Sequence, residues 1–363
     1  MIPRLCFALR TKLIHRRVSS PMALPVVLAL ATVLTTGCAG IGTAMKASPT
    51  LSHSFGIVNI PVADLERQYT NEESEFIKIN RYRIHYRDEG QGDPIVLLHD
   101  AYSSLHAWDY WASELSSRHR VIRLDLPGFG LTGAPKDPLA FDRASVAKTF
   151  ADFVDRLELE NFHLVGHSLG GEIAAEYAAL NSGRVNKLIL VAPTGLPRDV
   201  TWMTKILTGE YVAKLTNYIH APIILADEIN DAYGDSDRLS KEDGNRYMHM
   251  SMRPGSQRMY TKARQFIREQ AEGDIPRGLD RVQSPTLLMW GKADSVTPPE
   301  HAELWSSNIE NSAVVLYPEA GHMPMEEFPQ ETFADVQRFL SSGLSAFPAP
   351  SADEADAEPI ASR

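Results

Sequence analysis

Cysteine is nearly absent from this chain. In 363 residues there are two, Cys6 and Cys38. Both precede the stretch that reads as a folded body, so that body can hold neither an internal disulfide nor a thiolate metal site. Basic residues are also in short supply, 36 against 46 acidic ones, for a net charge of −10. No basic patch is rich enough to replace counterions along a phosphate backbone, so nucleic acid is not an expected partner. The 12 histidines show no H-x-x-x-H pair with an acid between, and no metal is expected. His163 and His167 are four apart, but they flank a strand-to-helix turn and cannot share a helical face. A G-x-G-x-x-G fingerprint is missing too. Gly128-Phe129-Gly130 alone does not make a nucleotide loop, and no cofactor is expected. No internal repeat is visible.

Hydrophobic residues, at 44%, and charged ones, at 23%, stand in the proportions of a folded globular protein. Their first concentration is N-terminal. Arg4, Arg10, Lys12, Arg16 and Arg17 precede Pro21–Met45, which carries no charge. A basic flank before an apolar run is the layout of an export signal. The stretch L-T-T-G-C ending at Cys38 resembles a bacterial lipoprotein signal, in which that cysteine is lipidated, although Thr35 stands where a Leu-like residue is usual. The run is also long enough for a transmembrane anchor, which needs about 20 residues. A plain cleaved signal is a third reading, and a buried helix a fourth. The basic flank should stay cytoplasmic. Residues 1–45 are therefore expected to hold the body at a membrane, on its periplasmic or cell-surface side.

Residues 46–74 read as a linker. Beyond it, FIKIN and RYRIHYRDEG alternate around a turn at Asn80-Arg81, as a strand pair does. Continuous apolar runs follow: PIVLLH, HRVIRLDLP, NFHLVGHS, KLILVAP, TLLMWG and AVVLYPEA. Such runs suit strands buried on both faces. Between them lie helical patterns. In residues 144–157 the apolar positions Val146, Phe150, Phe153, Val154 and Leu157 make one face. Alternating strands and helices imply an α/β fold with a mostly parallel central sheet flanked by helices. The alternation stops at 196–281, where Met248, Met250 and Met259 lie among Tyr233, Tyr247 and Tyr260. That stretch reads as a helical cap inserted into a core of 75–195 and 282–342. The tail, 343–363, is rich in Pro, Ala and acids, and disorder is expected there.

Gly166-His167-Ser168-Leu169-Gly170 fits G-x-S-x-G, with an apolar strand before it and a helical pattern after it. That turn lifts a serine oxygen to the positive end of a helix. A serine hydroxyl needs a base, and an imidazole base needs a carboxylate. His322, after the last strand, suits the first role. Asp294, in GKADSVTPP after TLLMWG, suits the second, with an Asx turn as its alternative reading. The order Ser, Asp, His is the chain order of the fold in which this motif is known. Asp125, in RLDLPGFG, is the rival carboxylate and reads as a loop-shaping residue. An oxyanion hole should draw one N–H from Leu169 and another from the loop after PIVLLH.

With LLHDAYSSLHAWDYW, RLDLPGFGLTG, LVGHSLGG, TLLMWGKADSVTPP and AGHMPMEEFP, the chain resembles the α/β-hydrolase fold family, and within it cap-bearing bacterial serine esterases. The resemblance spans about 75–342. It implies Ala101 as the second oxyanion donor. It also implies cleavage of a carboxylic ester, or a related acyl bond, of a small to medium apolar substrate through an acyl-enzyme. Two alternatives stay open: a carbon–carbon hydrolase of meta-cleavage products, and a non-catalytic surface module on the same fold. One departure stands out. Family members usually have His-Gly where this chain has His99-Asp100. A carboxylate there opposes a developing oxyanion, so Asp100 is expected to point out of the hole, leaving His99 to fix the loop.

Overall fold

The computed structural model describes residues 59–135, 141–199, 222–271 and 278–347. The whole N-terminal segment, Cys38 included, lies outside them, as does part of the cap. Among the described residues no helix is long and apolar enough to cross a membrane.

Strands β1 (Ser74–Ile79) and β2 (Tyr82–Glu89) form the expected antiparallel pair, turning at Asn80 with φ 52°. Asn tolerates that left-handed conformation better than most residues. The long apolar runs become β3 (Asp93–Leu98), β4 (His119–Leu124), β5 (Phe162–His167), β6 (Val185–Val191), β7 (Thr286–Gly291) and β8 (Ser312–Tyr317). They join one 8-stranded sheet in the order β1-β2-β4-β3-β5-β6-β7-β8. The pairings β3–β4, β3–β5, β5–β6, β6–β7 and β7–β8 are all parallel. The continuous runs are continuous because both faces are covered. Ile95, Val96, Leu97 and Leu98 of β3 and Leu188, Ile189, Leu190 and Val191 of β6 have no exposed surface.

Helices α1 (Val62–Tyr69), α2 (Asp109–Leu115), α3 (Arg143–Arg156), α4 (Leu169–Leu180), α5 (Pro222–Ala232), α6 (Lys241–Ser251), α7 (Ser256–Ala271), α8 (His301–Asn308), α9 (Pro324–Glu327) and α10 (Pro329–Ser342) complete the described elements. Helix α3 begins with a capping box between Asp142 and Ser145, and its Val146, Phe150, Phe153 and Val154 are buried. The described residues between β6 and β7 form helices α5 to α7 and short 3-10 turns, with no strand.

Order begins and ends beyond the expected core. Helix α1 lies inside the stretch read as linker, where Leu65 is buried against Leu131 and Met250. Ile60 and Tyr69 pack on the same cluster, and the Tyr69 hydroxyl pairs with His249 Nδ1 at 2.7 Å, so contacts distant in sequence organise this short helix. At the other end, Gly343–Ala346 continues as a 3-10 turn, and Phe347 is buried beside Phe339 with ring centroids 6.2 Å apart. The aromatic contact holds residues whose composition alone suggests disorder.

Because β3, β5, β6, β7 and β8 run parallel, the loops at their carboxyl ends emerge on one edge of the sheet. Open α/β sheets place their sites at this edge.

Candidate active site

Ser168 stands alone between β5 and α4, with φ 52° and ψ −114°. A non-glycine residue in such a region stores roughly 1–3 kcal/mol of strain. Backbone hydrogen bonds hold it there. Ser168 N–H donates to the Val191 carbonyl at 2.9 Å, and its own carbonyl accepts from Glu172 at 3.0 Å and Thr194 at 3.2 Å. The flanking glycines are required by proximity. A Cβ on Gly166 would lie 2.3 Å from the Gly170 carbonyl oxygen, and one on Gly170 would lie 2.5 Å from those of Leu98 and His99. Ser168 is 2% exposed and sits at the N-terminus of α4.

The loop after β7 carries Asp294 and the loop after β8 carries His322. Asp294 Oδ1 accepts the N–H groups of Val296 and Thr297, each at 2.8 Å. Its Oδ2 accepts from Thr297 Oγ1 and from His322 Nδ1, also at 2.8 Å. The turn-shaping and histidine-pairing readings of this residue are therefore both met, one by each oxygen. With Nδ1 carrying the proton, His322 Nε2 is left as a buried acceptor with no hydrogen-bond partner. Burial works against a charged imidazole here, but the Asp294 carboxylate outweighs it and holds the His322 pKa above its ordinary value.

His322 is fixed through its backbone as well. Its N–H donates to Ala232 of α5, and its carbonyl accepts from His167 Nε2 at 2.8 Å. Burial keeps His167 well below the usual imidazole pKa, so it is neutral.

The two expected oxyanion donors, Ala101 and Leu169, do meet, and what they meet is Asp100. Leu169 N–H donates to Asp100 Oδ1 at 3.4 Å, and the Ala101 N–H and Ser168 hydroxyl also face this carboxylate. Asp100 Oδ2 is 4.0 Å from His322 Nε2. The expectation that Asp100 points out of the hole is thus corrected. Donors aimed at one point, beside an imidazole able to take a positive charge, attract a carboxylate rather than repel it. His99 does fix the loop: Nδ1 donates to the Asp100 carbonyl at 2.6 Å and Nε2 accepts from Leu126 N–H at 2.9 Å. Asp125 accepts from Leu105 N–H at 2.8 Å, Leu131 N–H at 2.7 Å and His85 Nδ1 at 2.7 Å, and so ties the loops beneath the site together.

Four contributors escaped the sequence reading. Thr297 and His167 act on the Asp294–His322 pair. Arg198, after β6, donates from Nη1 to the Val296 carbonyl at 2.7 Å, and the Asp294 and Asp100 charges act on it. Glu326, on α9, is buried and gathers the hydroxyls of Tyr233 and Tyr247 and the guanidinium of Arg246, all from the cap. Thr297 lies inside GKADSVTPP, and Arg198 lies five residues beyond KLILVAP. Glu326 lies within AGHMPMEEFP, but nothing local marks its role, since its partners are about 80 or more residues away.

A model of the alpha/beta hydrolase fold family matches residues 93–329. The chain belongs to this family. Among α/β-hydrolases it is 27% identical over 280 residues to a 2-hydroxy-6-oxo-6-(2'-aminophenyl)hexa-2,4-dienoic acid hydrolase of Metapseudomonas resinovorans, covering 73% of this chain and 90% of that protein. The solved esterase of Exiguobacterium antarcticum is 25% identical, with a TM-score of 0.63 over 74% of this chain and 99% of that one. A bacterial membrane phospholipase A described as a virulence factor shares the fold at 24% identity and a TM-score of 0.61, covering 88% of this chain and 97% of its own.

Proposed function

We propose that this α/β-hydrolase is a serine hydrolase that cleaves a carboxylic ester of a small to medium apolar substrate through an acyl-enzyme. The observation carrying this reading is the 2.8 Å contact between Asp294 Oδ2 and His322 Nδ1, which leaves Nε2, not hydrogen-bonded to Ser168 here, free to accept the serine proton. In the proposed sequence, Ser168 Oγ attacks the acyl carbon and His322 Nε2 takes its proton. Asp294 balances the imidazolium. The tetrahedral oxyanion is held by the N–H groups of Leu169 and Ala101, each worth roughly 3 kcal/mol of barrier. Collapse expels the alcohol with the proton from His322. Water then repeats the cycle on the acyl-enzyme.

Arg198 favours a second reading, carbon–carbon hydrolysis of a meta-cleavage product. A dienoate carries a carboxylate, and Arg198 is a cation on the loop after β6, bonded to the Val296 carbonyl and coupled to the charges of Asp294 and Asp100. The Asp100 carboxylate weighs against an anionic substrate. The experiment is hydrolysis of p-nitrophenyl esters over a chain-length series, beside a dienoate, with Ser168→Ala as control. Ester turnover that falls by a factor on the order of 10⁴ in the variant supports the proposal. Dienoate cleavage without ester turnover replaces it by the second reading. A folded protein inert to both, and unlabelled by a fluorophosphonate, is a binding module.

We also propose that the N-terminal segment holds the enzyme to a membrane, outside the cytoplasm, with Cys38 as a lipidation point. Cell fractionation of the full chain beside Cys38→Ser tests this. Recovery of the parent in the soluble fraction removes the anchor. Unchanged membrane recovery of the variant removes the lipid.

A further inference from the structure

The Asp100 carboxylate lies where the reaction intermediate should lie. Its Oδ1 takes the Leu169 N–H at 3.4 Å, and the Ala101 N–H and the Ser168 hydroxyl face it too. These N–H groups are the donors that the proposed acyl transfer assigns to the oxyanion. The Ser168 hydroxyl interacts with Asp100, while His322 Nε2, 4.0 Å from Asp100 Oδ2, has no hydrogen-bond partner. A carboxylate is planar, anionic and two-oxygened, like the acid product of ester hydrolysis. The chain thus offers its own hole a product-like ligand.

We propose that the Asp100 side chain is an internal occupant of the oxyanion hole, which an incoming acyl group must displace before Ser168 can attack. This rests on Ser168 as the nucleophile, not on which bond is cleaved.

The charges around Asp100 say when it leaves. His322 faces it at 4.0 Å from the loop after β8, the charge of Arg198 acts on it from the loop after β6, and Tyr102 follows on its own loop. Burial disfavours the Asp100 charge, and a charged His322 supports it. Loss of the His322 proton therefore frees the base and loosens the occupant together. Arg198, held by the Val296 carbonyl at 2.7 Å, is a cation whose attraction for Asp100 does not depend on the His322 proton. The side chain is 16% exposed, so it is not sealed into the hole. Displacement costs rate for every substrate, and most for those with a negative charge near the scissile carbonyl, which meet Asp100 on its way out.

The test is the rate at which a fluorophosphonate labels the full chain and its Asp100→Gly and Asp100→Asn variants. In that reaction the Ser168 Oγ–phosphorus bond forms, fluoride leaves, His322 takes the serine proton, and the phosphoryl oxygen must enter the same hole. Asp100→Gly is expected to label about tenfold faster or more, a barrier change of about 1.4 kcal/mol. Acetate should inhibit it at correspondingly lower concentration. The pH midpoint of its labelling should fall, because Asp100 no longer supports the imidazolium. Asp100→Asn, similar in shape but uncharged, should lie between parent and Gly. A folded Gly variant that labels no faster than the parent overturns the proposal, and so does one with an unmoved pH midpoint. If Gly fails to fold, an Asn variant labelling no faster has the same force. Faster labelling in variants of a protein that hydrolyses no ester sinks the ester reading and leaves the occupant standing. Ester turnover unchanged by Asp100→Gly does the reverse.

Discussion

His167 Nε2 donates to the main-chain carbonyl of His322 across 2.8 Å. The residue preceding the proposed nucleophile thus grips the residue proposed as its base, although 155 positions separate them. Replacing His167 with alanine leaves that buried carbonyl without its donor, at roughly 1–3 kcal/mol. His322 is then free to shift. A kcat lower by about tenfold, with KM nearly unchanged, is the expected kinetic result, since a loss confined to the transition state appears in kcat. A rise in KM alone would place His167 in binding instead.

The pH profile should report the Asp294–His322 pair. Attack needs neutral His322, whose pKa is raised above 6.5. kcat/KM should therefore rise with pH through a midpoint above about 6.5. For stability the sign is opposite: the contribution of the imidazolium is complete below 6.5 and is lost as pH rises through the raised value. Asp294→Asn removes the supporting charge and favours the wrong tautomer. It should lower kcat by a factor on the order of 10⁴ and move the residual midpoint down. An upward or absent movement would contradict this assignment.

Glu326 joins cap to core as a carboxylate whose burial pushes its pKa from 4.5 to about 7. Between those values the folded chain binds more protons than the unfolded one, so this group weakens stability as pH rises through that window. Glu326→Gln keeps an acceptor for Tyr233 and Tyr247 without the charge. Thermal unfolding followed from pH 4 to pH 8 should show the variant gaining on the parent across the window, by up to roughly 3 kcal/mol. A constant difference would mean that Glu326 is ionised, or neutral, throughout.

Asp125 behaves in the opposite sense. Burial opposes its charge, but His85, His99 and the N–H donors outweigh it and hold it well below the usual carboxylate range. Its stabilisation is present above the ordinary carboxylate pKa and disappears as pH falls through the lowered one. Asp125→Asn should cost roughly 3 kcal/mol or more in urea unfolding at neutral pH, and progressively less in acid. Serine labelling per folded molecule should be largely retained.

Gly170→Ala tests the elbow. Its new Cβ would meet the main-chain carbonyls of Leu98 and His99 at 2.5 Å, and neither can rotate away. Destabilisation of roughly 3 kcal/mol or more is expected, seen as insoluble or low-melting protein.

Local patterns made much of this legible. A strand buried on both faces must be apolar throughout, so β3, β5, β6 and β7 announce themselves as runs. The elbow needs glycines at fixed offsets from Ser168, so a five-residue motif locates it. Asp294 and His322 follow because they sit just past such runs. Helix α1 was not legible, because one buried residue, Leu65, makes no periodic pattern.

The amino-acid sequence by itself determined the alternation of strands and helices, the elbow at Ser168, and the identity of the Asp294 and His322 side chains beside it. These depend on neighbours within one or two turns of chain. Only the tertiary structure decided where the Asp100 carboxylate lies, which histidine holds the His322 loop, and how Glu326 ties cap to core. Each is a meeting of groups about 70 to 155 residues apart. The His99-Asp100 pair could be read as a charge beside the hole. That it accepts the Leu169 N–H follows only when β3 and β5 pair in parallel and bring that group to its carboxylate.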